Sequence, residues 1–433
     1  MPTPRPARFC DECIPLRESS WLPPHLVVAS RFAAQVDAGA LEMWVPIWAL
    51  FALLMLPIGS SFNAWAGSAD PKLTPLVADI IAAPHVVPGS DGSRHLVYEL
   101  AVDNVTGRDV RFEKLKVIDP DSGATLAELG PDDLAKRVTP GANRGNETRE
   151  LTAYQFAVIF LHVALAEGAT IPSRITHEIT AHFTVIDADM TLTIGESPVI
   201  STAPVVLGPP LRGKGYVAAD GCCDSIRHVR ALLPLDGKFY LAQRFAVDWE
   251  QIDEKNTLVA GDLKVPANYH IYGKPILAVA DGTVVGTRND LHDQVPGALP
   301  ANLPLDEADG NFVVLDIGSG LFVNYAHMRP GSVTVKLGDK VRRGDQLGEV
   351  GNTGNSQAPH LHLHVMDSAS PLASNGLPYV FDSFAIAAVD EAGTEDFDKA
   401  EATGSPLTLT ARVPPQKLEN VLPLDLSIVD WLQ

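Results

Sequence analysis

Ala358-Pro359-His360-Leu361-His362-Leu363-His364 sets three imidazoles at alternate positions with leucines between them. On a strand, successive side chains point to opposite faces, so His360, His362 and His364 line one face while Leu361, Leu363 and Val365 point into a core. Imidazoles two apart on a strand sit roughly 7 Å from one another, too far for adjacent ones to serve one ion equally without distortion. The pattern therefore predicts that one imidazole binds a metal while a neighbour handles a water beside it, since imidazole is the commonest metal ligand. The bland alternative is a histidine-rich exposed strand with no role.

The flanking sequence bears on that choice. Ahead of the histidines lie Lys336-Leu-Gly-Asp-Lys-Val-Arg-Arg-Gly344, Gly348-Glu-Val-Gly351 and Asn352-Thr-Gly-Asn-Ser356, and further back Ala278-Val-Ala-Asp-Gly282-Thr-Val-Val285 and Asn324-Tyr-Ala-His327. This order resembles the lysostaphin-like zinc metalloendopeptidases, a family whose best-known members cut cell-wall peptides of bacteria. The resemblance covers residues 273–367 and reaches back to about residue 221. It implies zinc held by an Asp and two His, with His362 as the second His of the His-x-His pair and Asp248 as the carboxylate. It also implies that His327 and His360 assist the water without holding the ion.

The family's first zinc ligand is a His four residues before the Asp, and this chain has Arg244 there, in Gln243-Arg-Phe-Ala-Val-Asp248-Trp249. A guanidinium stays protonated and offers no lone pair to a metal. His228 is the nearest replacement; His270 and His364 are further candidates. The runs at 230–235 and 238–248 read as strands around Leu235-Asp236-Gly237, a hairpin signal. A three-residue turn with a glycine bulge sets His228 opposite Arg244, beside the vacated ligand position; a tight two-residue turn sets it opposite Phe245, on the wrong face. In the bulged register Arg244 is free to hold a substrate carboxylate or a developing oxyanion. Asn311 is a second candidate for substrate contact.

Such a ligand set makes chemical sense without the family. A catalytic zinc takes three protein ligands, keeps a fourth position open and lowers the pKa of its water to about 7. Two neutral imidazoles and one carboxylate leave the site net positive. Charge at the scissile carbonyl matters because an amide is a poor electrophile, and His327 and His360 are suited to orient water and stabilise the oxyanion.

The 433 residues allow two or three domains, and 46% hydrophobic with 20% charged residues is ordinary for a globular protein. A formal net charge of −20 without clustered Lys and Arg argues against a nucleic-acid partner. Four cysteines fall in two local pairs. Cys10-x-x-Cys13 is half of a structural zinc site with no second half, and the adjacent Cys222 and Cys223 leave a mutual bridge, free thiols or other pairings open.

Residues 43–58 are nearly all apolar and lead through Ser60, Ser61 and Asn63 to Ala64-Trp65-Ala66, which reads as a signal peptide cleaved after Ala66. The run falls short of the ~20 residues of a membrane span and is broken by Pro46 and Pro57. The long region before it and Glu42 at its start depart from a standard leader. Export to the periplasm or the medium is the expectation, with an uncleaved membrane anchor as the alternative.

The expected fold is mainly β: a leader at 1–66, an immunoglobulin-like β-sandwich at 70–207, an antiparallel β peptidase domain of lysostaphin-like type at 214–390, and an extension at 391–433 that adds strands. The sandwich rests on alternation in His95-Leu-Val-Tyr-Glu-Leu-Ala-Val102, Val110-Arg-Phe112 and Leu115-Lys-Val117, with a helical piece expected at 154–166. Ile175-Thr-His177-Glu178-Ile179-Thr-Ala-His182-Phe183 imitates the helical zinc-protease motif and fails it. Its histidines are five apart in a β-branched stretch, so His177 shares a half-buried face with Ile175, Ile179 and Phe183. Gly208-Pro-Pro-Leu-Arg-Gly213 reads as a linker. Segments 274–287 and 311–323 read as hairpins, the 288–311 loop as a groove wall, and 407–413 with 422–429 as added strands.

Three functions follow. An exported zinc endopeptidase acting on peptidoglycan or another peptide fits the family positions. A non-cutting relative that binds cell wall or a partner is motivated by Arg244. A biotinyl or lipoyl carrier shares Val341-Arg-Arg-Gly344 and the Ala-Asp-Gly282 turn, but lacks a modifiable Lys at a hairpin tip and leaves the histidines unexplained.

Overall fold

The computed structural model describes residues 71–141 and 145–432, which form one compact unit. The leader, its apolar run and Cys10-x-x-Cys13 lie outside the described residues, and no described helix is long and apolar enough to cross a membrane. The chain is mainly β, with α-helices among the described residues only at Pro131–Arg137 and Thr394–Thr403.

Two antiparallel sheets come first. One orders Leu76–Ile80, Arg94–Asn104, Phe156–Leu165 and Val138–Pro140, with Val86–Pro88 beside Arg94–Asn104. The other orders Ala188–Pro198, Arg174–Phe183, Val110–Ile118 and Thr125–Leu129, with Glu150–Leu151 beside Val110–Ile118. Their inner faces share one core that includes Leu96, Leu100, Phe112, Ile159, Ile175, Ile179 and Phe183.

The strand Arg94–Asn104 is buried on both sides. Leu96, Tyr98 and Leu100 enter the shared core, while His95, Val97 and Glu99 face the rest of the molecule, and Val97 joins a second core there. Phe156–Leu165 behaves alike, with Ala157, Ile159 and Leu161 turned inward and Val158 and Phe160 packed on Leu232 and Leu241. That explains a correction. The helix expected at 154–166 is a strand, because burial of both faces makes a strand apolar at every position and erases the period that separates the two structures.

The second core belongs to an eleven-stranded sheet. Its strand order is Lys340–Val341, Gly282–Arg288, Asn311–Gly318, Leu321–Met328, Leu361–Met366, Val247–Gln251, Tyr216–Ala219, Ser427–Asp430, Phe384–Asp390 and Leu409–Leu418, with Gly376–Leu377 added beside Leu361–Met366. The histidine strand is therefore central. Leu361, Leu363 and Val365 are fully buried against Val323, Tyr325 and Trp249 in that core, as alternation predicts. Trp249, Phe381 and Trp431 pack edge to face beneath it.

One hairpin reading changes and one open choice closes. Pro275–Leu277 pairs with Gln346–Glu349, not with its sequence neighbour, while Asn311–Gly318 and Leu321–Met328 do form a hairpin. At Asp236-Gly237 the turn is the tight one: Leu235 faces Lys238, and both turn residues have positive φ, 48° and 76°. The strands there stop at Leu233 and Tyr240. The segment 220–231 is a succession of turns, in which Cys222 and Cys223 are bridged to one another.

Helix Thr394–Thr403 lies over the open face of the large sheet. Phe397 and Ala400 pack on Val217, Ala219 and Ile428, and Val217 and Ala219 are the cross-strand partners of Glu250 and Asp248.

Candidate metal centre

Asp248 and His362 face one another across adjacent strands, which puts their side chains on one face of the sheet. The carboxylate Oδ1 lies 2.8 Å from His362 Nδ1 and 3.5 Å from His360 Nε2, and Oδ2 lies 3.2 Å from His228 Nε2. His228 thus reaches the centre, but by a route the hairpin reasoning did not supply. The tight turn forms, and the turns after Tyr216–Ala219 carry the imidazole back to the sheet instead. Its Nδ1–H donates to the Asp220 carbonyl at 2.8 Å, which aims Nε2 at Asp248.

The other rings are fixed in the same way. His327, at φ 60°, donates from Nδ1 to the Thr353 carbonyl at 2.7 Å. His360 donates from Nδ1 to the Ala358 carbonyl at 2.7 Å, and its buried Nε2 has no hydrogen-bond partner among the described residues. Gly351 bridges His360 and admits no side chain, because a Cβ would collide with the Arg329 backbone. The His327 and His360 rings lie 4.7 Å apart. His362 Nε2 lies 2.8 Å from His364 Nδ1, so a ring that offers Nδ1 to a metal keeps its other N–H satisfied.

Two sets of donor atoms fall within metal-binding reach of one another, His228–Asp248–His362 and His327–His360–His362. The first contains the carboxylate and suits a divalent zinc better, because opposite charge stabilises the ion and two imidazoles with one carboxylate are a known catalytic set. The orphaned Nε2 of His360 then points at the space beside the ion. These residues fit zinc.

The electrostatics follow from the same contacts. Burial alone would raise the Asp248 carboxyl, yet the charges of His228 and His360 and hydrogen bonds from His228 and His362 hold it well below its ordinary range. Burial opposes protonation of His228, but Asp248 outweighs it and pushes the imidazole up to about 9. His327 is driven well below its ordinary value by burial and by His360 and His362, so it stands neutral.

Two expected substrate contacts are corrected. Arg244 does not face the centre: it is buried, donates through Nε and Nη2 to Glu99 at 2.9 and 2.6 Å, and through Nη1 to the Gly376 carbonyl at 2.9 Å. A buried guanidinium needs a carboxylate, and the first sheet pair supplies it. Asn311 is fully buried and pins the loop that follows Gly282–Arg288, exchanging hydrogen bonds with Leu291 N–H and C=O at 2.9 Å each. His270 pairs with Asp253 at 3.8 Å and does not belong to either donor set.

A cavity of about 260 Å³ opens on the centre, lined by Asp248, His228, His327, His360 and His362. Leu299 from the expected wall loop and Phe397 and Glu401 from the C-terminal helix close its sides. Glu250 and Glu401 make one end acidic, each carboxyl raised by burial; the charge of Glu401 adds to this for Glu250, and that of Asp398 for Glu401. Sequence reasoning passed over Glu250, although its place two residues after Asp248 puts it on the same face. Nothing in the sequence marks Glu401 or the Asp220 carbonyl.

Residues 267–374 match the model of Peptidase family M23. Over 185 residues the chain is 30% identical to the peptidoglycan DD-endopeptidase ShyA of Vibrio cholerae, 39% of each chain. Over 106 residues it is 34% identical to the cell division protein DipM of Caulobacter vibrioides, 23% of this chain and 15% of that one. The catalytic domain of lysostaphin from Staphylococcus simulans is 22% identical, with 38% of this chain and 88% of that one covered and a TM-score of 0.20. The chain thus spans about two fifths or less of the curated relatives it matches. His327 and the histidine strand fall inside the family match, whereas His228 and Asp248 precede it. By this match and these motifs, residues 267–374 carry a Peptidase family M23 segment, and the chain resembles the lysostaphin-like peptidases there.

Proposed function

We propose that this protein is an exported, zinc-dependent endopeptidase of the M23 type that hydrolyses peptide bonds of peptidoglycan. The observation that carries the reading is the convergence of His228 Nε2, Asp248 and His362 Nδ1 on one point, with two further imidazoles beside it whose Nε2 atoms are not used to hold the fold. Zinc bound by those three residues would supply a Lewis acid for the scissile carbonyl and a water of lowered pKa.

The chain's own residues do the rest. His327 and His360 spend their Nδ1–H groups on backbone carbonyls, so each presents an Nε2 lone pair to the cavity. A lone pair there accepts a proton from the attacking water, and the imidazolium it becomes stabilises an oxyanion or returns the proton to the departing amine. Asp248 faces three imidazoles and balances that positive charge. Arg244 does not argue for a non-cutting relative, because its partner is Glu99 and His228 reaches Asp248 at 3.2 Å.

The test is metal content and turnover of the purified, oxidised full chain. About one zinc per chain and release of peptide fragments from isolated peptidoglycan are expected. A protein that stays metal-free with zinc supplied at neutral pH overturns the enzyme reading; one that holds zinc but releases nothing moves it to the binder.

A further inference from the structure

A second cluster of metal-binding side chains lies away from the cavity, where the first sheet pair meets the turns that carry His228. One ring nitrogen each of His95 and His162 and the sulfur of Cys223 all fall within 4.8 Å of one another. His95 is buried, and Val97, opposite His162 on the neighbouring strand, lies on the same face as His95.

The outer nitrogens of both rings are claimed by carboxylates. His95 Nε2 lies 3.1 Å from Asp91 Oδ1, and His162 Nδ1 lies 3.1 Å from Asp224 Oδ2, while Arg137 Nη1 donates to Asp224 Oδ1 at 2.6 Å. An imidazole whose outer N–H donates to a carboxylate presents a bare lone pair on its inner nitrogen. Here the two inner nitrogens confront each other at 2.9 Å. Two lone pairs at that distance repel unless something positive lies between them, either a shared proton or a metal. A carboxylate behind each imidazole is the usual backing of a metal-bound histidine. Two nitrogens on a tetrahedral zinc, each at 2.0–2.1 Å, stand about 3.3 Å apart, so the pair must open by only a few tenths of an ångström.

What withholds the third ligand is the Cys222–Cys223 bridge, since only a thiolate binds metal. We infer that His95, His162 and Cys223 form a second, redox-gated zinc site, closed while Cys222 and Cys223 are bridged and open once they are reduced. A dithiol reductant breaks the S–S bond by passing two electrons and two protons to the sulfurs, giving two thiols, and itself becomes a disulfide. Cys223 then releases its proton to solvent as the sulfur takes the metal, and a water completes four-coordination. Because Cys223 is five residues from His228, occupancy of this site fastens the segment that supplies the proposed catalytic ligand.

Cobalt separates the two sites, because thiolate-to-cobalt charge transfer absorbs in the near ultraviolet and His228, Asp248 and His362 include no sulfur. The full chain is prepared as wild type, as Cys222→Ser, which leaves Cys223 unable to bridge to its neighbour, and as Cys222→Ser combined with Cys223→Ser, His95→Ala or His162→Ala. Cys222→Ser is expected to bind one more cobalt per chain than oxidised wild type and to gain the thiolate band. Phosphine reduction of wild type, which oxidises the phosphine, should produce the same gain. The combined variants should lose that added band while keeping the metal at Asp248, and any signal from Cys10 and Cys13 cancels in the comparison. The inference is overturned if Cys222→Ser absorbs no more than the double serine variant, or if the histidine variants keep its band. Absence of the sulfur-free cobalt alone tells against the proposed active centre and not against this site.

Discussion

His177 and His360 are both buried histidines in strand-rich surroundings, and they differ in one nitrogen. In the first sheet pair, His177 donates from Nδ1 to the Gly195 carbonyl at 3.0 Å and accepts at Nε2 from the Tyr98 hydroxyl at 2.9 Å. Just ahead of the strand Leu361–Met366, His360 donates from Nδ1 to a carbonyl and leaves Nε2 without a hydrogen-bond partner. Burial alone therefore does not mark a site. A buried ring with both nitrogens spent is architecture, while one with a nitrogen left over beside a carboxylate is chemistry held in reserve.

The largest expected effect tests the reserved side of that contrast. Asp248→Ala and His362→Ala should each release the zinc and take peptide hydrolysis to background, read by metal analysis and fragment release; retention of metal in either would show that the ion sits elsewhere. Next come the spare nitrogens themselves. His327→Ala and His360→Ala should keep zinc bound while hydrolysis falls by roughly 10² to 10⁴, the usual worth of positioned proton transfer. Loss of metal in these variants, with retention in His228→Ala, would transfer the ion to the all-imidazole set.

A third comparison concerns Arg244 and Glu99. Removing one partner, as in Glu99→Ala, leaves a buried charge uncompensated and should cost about 3–5 kcal/mol in denaturant unfolding. Glu99→Leu combined with Arg244→Met should recover most of that loss. A single variant with unchanged stability would mean that the pair is not held as described.

The smallest effect belongs to His177. Burial lowers its pKa from 6.5 to about 4 in the folded protein, so the unfolded chain binds that proton more readily. The contribution is complete above pH 6.5 and is lost as pH falls toward 4. That preference corresponds to about 3 kcal/mol. His177→Gln should flatten the fall in stability across that window, measured against wild type; an unchanged slope would show that His177 is not held neutral.

Much of the large sheet was legible because short-range rules govern it. Alternation placed Leu361, Leu363 and Val365 in the core and His362 opposite chemistry, and failed spacing removed the false motif around His177. The misreadings share a cause in distance along the chain. Glu99 answers Arg244 from 145 residues away, so Arg244 looked free. Phe156–Leu165 looked helical because its outer face is covered by residues from 232 and beyond. His228 was placed beside the ligands from a hairpin register that does not form; turns lack a period from which position can be counted. Asn311 reads as a substrate contact because nothing local shows that the 288–311 loop folds back over it.

The strand Arg94–Asn104, buried on both faces, also limits modularity. A fragment cut at residues 208–213 would keep Arg244 and lose Glu99, its carboxylate partner among the described residues. It would also bare Leu232 and Leu241, which now rest on Val158 and Phe160. The family match at 267–374 suggests a portable unit, yet Arg244, which lies ahead of it, finds its carboxylate 145 residues upstream. Grafting the first sheet pair from a relative would succeed only if the acid at position 99 travelled with the arginine it neutralises.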